Sequence, residues 1–193
     1  VAVDFNSQYH ALLLKQVPVG ARRALDVGCG TGRFARLLAE RGLDVEGIDG
    51  NAEVIEAARA AGGGPHYRNA DIREHQLPDA RYDFISCIAS LHHMPFETVL
   101  TLRKALAPEG VLAVVGLYPA RTPADFVCAL PALTLLKADR LLSRRRAAPS
   151  VQVPVVWPPP LTYAETRAEA ARLLPGSTLR RLLLWRYLLL YRA

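Results

Sequence analysis

An α/β chain built on a doubly wound, mostly parallel sheet of seven strands is the fold class this sequence predicts, and three observations predict it. Residues 24–35 run Ala-Leu-Asp-Val-Gly-Cys-Gly-Thr-Gly-Arg-Phe-Ala, an apolar strand that breaks into alternating glycines and resumes with helical apolar spacing. Strand-like and helix-like segments then alternate as far as residue 117, a pattern that implies right-handed crossovers and a parallel sheet. Finally, Thr178–Arg192 reads as two antiparallel strands with a turn near Trp185-Arg186.

Each element has its own signal. Ser7–Lys15 has the spacing of an amphipathic entry helix, packing by Leu12, Leu13 and Leu14. The first strand opens at Ala24 and Asp26 closes its region; a helix over 33–41 and a strand over 44–48 follow. Residues 52–61 form a helix stopped by Gly62-Gly63-Gly64, and His66–Asn69 a short strand. Residues 84–90 are a buried apolar strand, Pro95 opens a helix over 95–107, and 111–117 is the next strand. At the turn between them, Glu109 stands beside Gly110, which is expected to supply the positive φ. Thr122–Ser143 reads as a helix interrupted by Pro131, and Pro149–Pro160 as extended chain. Thr162 and Glu165 have the Thr-x-x-Glu spacing of a capping box for a helix to about Leu174, which Pro175-Gly176 ends.

The glycine loop sits at the carboxyl edge of the sheet, where such folds bind ligands. Gly28, Gly30 and Gly32 permit positive φ and take every Cβ out of the turn, so a nucleotide-type ligand can lie on the backbone. A dinucleotide fingerprint wants its third Gly or Ala at position 33, where this chain has Arg33; the spacing is G-x-G-x-G, preceded by Asp26. Asp49 ends the second strand, where a carboxylate accepts from both hydroxyls of a ribose diol. Asn69-Ala70-Asp71-Ile72 follows the third strand, and Tyr82 to His93 is a buried strand running into Leu-His-His.

These segments, with the Leu102–Leu112 helix-turn-strand, resemble in order the class I S-adenosylmethionine-dependent methyltransferases, and among them the small-molecule, type 11-like enzymes. The resemblance covers residues 24–117 and departs from the family at Glu109, where members usually have glycine. It implies a Rossmann-like sheet and S-adenosyl-L-methionine as cofactor. The loop of Asp26, Gly28, Gly30 and Gly32 would cradle the amino acid moiety and Asp49 the ribose, while Asp71 would accept from the adenine amino group beside the Ile72 backbone. The strand end around Ile88 would meet the methyl end, and Tyr9 would approach it from the entry helix. His92 and His93 are the candidate bases, with His93 preferred because it lies farther from the strand end; His10 is a weaker alternative.

The length fits one domain, residues 1–193, with 119–160 as a lid that caps the substrate through Phe126, Trp157 and many leucines. Cys29, Cys87 and Cys128 are widely spaced, which suits reduced thiols in a cytoplasmic protein and neither disulfides nor a zinc site. No signal peptide and no membrane span is read. The net charge of +6 is misleading as a nucleic-acid signal: residues 137–193 carry eleven basic and three acidic side chains, and the remainder is slightly acidic. Only Arg144-Arg145-Arg146 is dense, and no aromatic residues interleave with it. The function expected is methyl transfer to O or N of a small, hydrophobic acceptor. An RNA methyltransferase using the basic C-terminal region, and a binding protein that keeps the cofactor without chemistry, are the alternatives. The oligomeric state is not legible.

Overall fold

The computed structural model describes residues 7–122, 125 and 158–193. A 3₁₀ turn (Ser7–Tyr9) leads into α1 (His10–Leu14). Then come β1 (Arg23–Val27), α2 (Arg33–Ala39), β2 (Asp44–Asp49), α3 (Ala52–Ala61) and β3 (His66–Asn69). They are followed by β4 (Tyr82–Ile88), a 3₁₀ turn (Leu91–His93), α4 (Thr98–Ala105) and β5 (Leu106–Leu117). The chain closes with α5 (Tyr163–Leu173), β6 (Thr178–Leu182) and β7 (Arg186–Arg192). The strands form one seven-stranded sheet in the order β3-β2-β1-β4-β5-β7-β6, the first five parallel and β7 antiparallel to both its neighbours. The order reverses between β1 and β4, so the loops leaving those two strands flank a crevice at the carboxyl edge.

The central strands β1, β4, β5 and β7 are buried on both faces. On one side Leu25, Val27, Ile85 and Leu112 pack against Val99 and Leu102 of α4 and Leu173 of α5. On the other, Ala24, Val45, Phe84 and Ala113 pack against Phe34 and Leu38 of α2 and Leu13 of α1. Near-continuous apolar runs follow from that sandwiching. The predicted capping box is present, with Glu165 accepting from the Thr162 N–H at 2.8 Å and Thr162 accepting from the Glu165 N–H at 3.3 Å.

Several boundaries differ from the sequence reading, α4 (Thr98–Ala105) being shorter than the expected 95–107 and β5 (Leu106–Leu117) longer than the expected 111–117. β4 ends at Ile88 instead of residue 90, because Ala89 turns to φ +52° and its N–H donates to the Val115 carbonyl at 2.7 Å. The hairpin turn is Leu183–Trp185, with Leu184 and Trp185 both at positive φ and Arg186 already in the strand. Within β5, where its pairing with β4 shifts register and the sequence reading expected a turn, Glu109 itself takes φ +64°, not Gly110. Gly110 is required for a different reason: a Cβ there would lie 2.7 Å from the Ala107 carbonyl oxygen. Glu109→Gly should therefore stabilise the fold by roughly 0.5–1 kcal/mol, the relief of a left-handed residue less the entropy of glycine. Denaturant unfolding reads it directly, and a loss of stability would contradict this account of the turn.

The helix expected over Thr122–Ser143, the extended Pro149–Pro160 run apart from its last three residues, and almost all of the 119–160 lid lie outside the described residues. So do Cys128 and Arg144–Arg146. Cys29 and Cys87 are free thiols, both buried. No described helix is long and apolar enough to cross a membrane.

Candidate active site

The loop after β1 takes the conformation its glycines allow: Gly28, Gly30 and Gly32 lie at φ +69°, +52° and +73°. Their roles differ. A Cβ on Gly28 would sit 2.2 Å from Cβ of Ser90, and one on Gly32 would sit 2.1 Å from the Tyr67 hydroxyl, so both serve the packing of the protein on itself. A Cβ on Gly30 would meet no heavy atom within 4 Å. Gly30 is thus the member that faces open space, as a loop receiving a ligand requires.

Asp49 holds this loop in place. One carboxylate oxygen accepts from the Gly30 N–H and the other from the Asn51 N–H, both at 2.9 Å. A carboxylate offers about four lone-pair sites, so both oxygens keep capacity for a diol. Behind the loop, the Ser90 hydroxyl donates to the Val27 carbonyl at 2.6 Å, locking the exits of β1 and β4 together. Tyr67 donates to the Gly32 carbonyl at 3.3 Å, and Arg36 to the Thr31 carbonyl at 2.9 Å. Ser90, Tyr67 and Arg36 are supports that sequence reasoning missed.

Asp26 lies beneath the loop, 2% exposed, and accepts from the Ser86 hydroxyl at 2.7 Å. Burial pushes its carboxyl up to about 7, with Asp49 adding repulsion and the Ser86 hydrogen bond opposing. An acid whose folded-state value is raised adds stability below its unfolded value, and that stability is lost as pH rises through about 7. Asp26→Asn keeps an acceptor for Ser86 without a charge to bury. Its melting point should exceed wild type by on the order of 5 °C at about pH 8 and by under about 1 °C at about pH 4. Equal shifts at both would refute a buried titrating carboxyl.

The other expected positions fall around the same edge. Asp71 is bound through both oxygens by Arg73, whose hydrogen bonds hold its carboxyl down near about 2; Ile72 beside it is buried. Ile88 is half-buried at the end of β4. Tyr9 is buried, and its hydroxyl donates to the Leu183 carbonyl at 2.8 Å, fastening the entry helix to the hairpin turn. The His10 ring lies against that of Phe34, centroids 5.1 Å apart and tilted by 49°.

His92 and His93 occupy the 3₁₀ turn after β4, ring centroids 4.1 Å apart. His93 is exposed. His92 is half-buried, its Nδ1 is inaccessible and lacks a hydrogen-bond partner, and burial, with the neighbouring charges of His93 and Arg186, lowers it to about 4. It lines a mostly apolar cavity of about 480 Å³ at the carboxyl edge, whose walls include Leu91, Phe96, Leu117, Leu161 and Tyr187. His93 does not line that cavity. Both buried thiols are pushed well above the ordinary cysteine range by desolvation, which makes them poor nucleophiles. No cluster of three metal-ligating side chains occurs among the described residues.

A glycine loop latched by a strand-end carboxylate at the switch point of a 3-2-1-4-5-7-6 sheet is the arrangement expected of a nucleotide-type cofactor site. The comparisons agree. Residues 25–114 match the methyltransferase domain family. An uncharacterized methyltransferase of Mycobacterium tuberculosis is 38% identical over 97% of this chain and 95% of its own length. A ubiquinone biosynthesis O-methyltransferase of Pectobacterium carotovorum is 35% identical over 38% of this chain and 33% of its own length. The crystal structure of an S-adenosylmethionine-dependent methyltransferase from Mesorhizobium loti shares the fold, with a TM-score of 0.65 at 20% identity over 95% of this chain and 96% of that one. The chain belongs to the class I S-adenosylmethionine-dependent methyltransferases, and its cofactor is S-adenosyl-L-methionine.

Proposed function

We propose that the enzyme methylates a small, hydrophobic acceptor at oxygen or nitrogen, with oxygen favoured. The observation that carries this is the mostly apolar cavity lined by His92, about 480 Å³ and of a size for a small molecule, which Leu91 and His92 border from the loop leaving β4. Oxygen is favoured because the Pectobacterium relative is named an O-methyltransferase. When bound, S-adenosylmethionine supplies an electrophilic methyl group on a sulfonium sulfur. Gly30 and Asp49 would hold the cofactor's amino acid and ribose portions, with Asp71 and the Ile72 backbone at the adenine. The cavity walls exclude water and orient the acceptor, so positioning supplies much of the rate. His92, neutral at physiological pH, accepts a hydrogen bond from the acceptor hydroxyl and takes its proton as the new bond to carbon forms.

The test is transfer of tritiated methyl from the cofactor to a panel of phenols, carboxylic acids, amines and bulk RNA. Label extracted into organic solvent with phenols or acids supports the proposal. Label confined to RNA, or no turnover despite tight cofactor binding, would replace it with one of the two alternatives.

A further inference from the structure

Away from the active site, a second groove of about 460 Å³ lies over the amino-terminal ends of β1 to β4, at the opposite edge of the sheet from the glycine loop. The connection from β3 to β4, residues 70–81, contains no helix, unlike the usual crossover of a doubly wound sheet. The groove is lined by four guanidinium groups, of Arg23, Arg59, Arg68 and Arg81, against two carboxylates, Asp44 and Glu46.

Part of this charge is accounted for internally. Glu46 accepts from Arg68 at 3.0 Å and from the Tyr82 hydroxyl at 2.8 Å. Arg59 lies in the last turn of α3, where a cation suits the helix dipole, and donates to the Tyr67 carbonyl at 3.0 Å. Among the described residues Arg23 has no such partner, and Arg81 is engaged by the neutral phenol of Tyr82. Neither pairs with a carboxylate among the described residues, and Arg81 lies 5.9 Å above the ring of Tyr82. Both enter strands, where no helix dipole calls for a cation.

We propose that this groove binds a phosphate-bearing small molecule, with its phosphate held between Arg23 and Arg81. Guanidinium forks match phosphate oxygens in geometry and charge. The volume suits a small ligand and is too small for a helix or a nucleic acid duplex, which argues against a macromolecular occupant. Asp44, the Cα partner of Arg23 across the β1–β2 ladder, limits the affinity by repulsion.

The experiment uses the full chain saturated with S-adenosylhomocysteine, so that the cofactor site is filled, titrated calorimetrically with inorganic pyrophosphate and separately with adenosine monophosphate. Saturable one-site binding is expected. It should weaken at least ~10-fold when Arg23→Gln and Arg81→Gln are combined, and tighten a few-fold in Asp44→Asn. Affinity for S-adenosylhomocysteine should not change in either variant. Binding of pyrophosphate alone would assign the groove to free phosphates, and tighter binding of the monophosphate would assign it to phosphate esters. The proposal is overturned by absence of saturable heat with both probes, or by binding that survives the double substitution. It is equally overturned by a short single-stranded RNA that binds more tightly than either, with steep salt dependence.

Discussion

Asp49→Ala will weaken binding of S-adenosylhomocysteine by roughly 10- to 100-fold, the equivalent of ~1.5–3 kcal/mol for lost hydrogen bonds to a charged group. Two losses combine. The ribose loses its acceptor, and the Gly30 and Asn51 amides, which donate to the two carboxylate oxygens at 2.9 Å, lose theirs, so the loop is no longer held in its receiving shape. Asp49→Asn retains one carbonyl acceptor and should fall between wild type and alanine. Calorimetric titration separates the three, and an alanine variant with wild-type affinity would remove Asp49 from the site.

Replacement of His92 by alanine should lower kcat by ~10²-fold or more, while affinity for S-adenosylhomocysteine stays within about 3-fold. His93→Ala should keep kcat within about 3-fold of wild type, because its ring is exposed and does not line the apolar cavity. The pH profile carries a second signature. A base lowered to about 4 by burial is active only when neutral, so kcat/KM should rise with pH through about 4 and be flat across the neutral range. A profile rising near neutrality, with the loss concentrated in His93→Ala, would transfer the role to His93.

What could be read from the sequence is what local pattern determines. The apolar run at 84–88 is a strand because both faces are covered, and the aspartate ending β2 could be placed beside the glycine loop by spacing alone. The division of labour among Gly28, Gly30 and Gly32 could not, since what a side chain would strike there is Ser90 or Tyr67, brought close only by the sheet. The same holds for Tyr9, whose hydroxyl is committed to the carbonyl of Leu183 far along the chain. The preference for His93 comes from its distance from the strand end toward the 119–160 lid, which lies almost wholly outside the described residues. The left-handed turn at Ala89 ends β4 early and turns the histidine pair into a 3₁₀ turn, where His92 is the one covered. No residue-level signal marks Ala89, Glu109 or Leu184 as left-handed, since none is a glycine, asparagine or aspartate.

The most direct measurement is a crystal structure of the full chain with S-adenosylhomocysteine bound. The account predicts the ribose hydroxyls within hydrogen-bond distance of the Asp49 carboxylate, the amino acid moiety against Gly30, and the sulfur directed toward the cavity lined by His92. A ligand whose ribose contacts neither Asp49 oxygen, or whose sulfur faces away from that cavity, would contradict it.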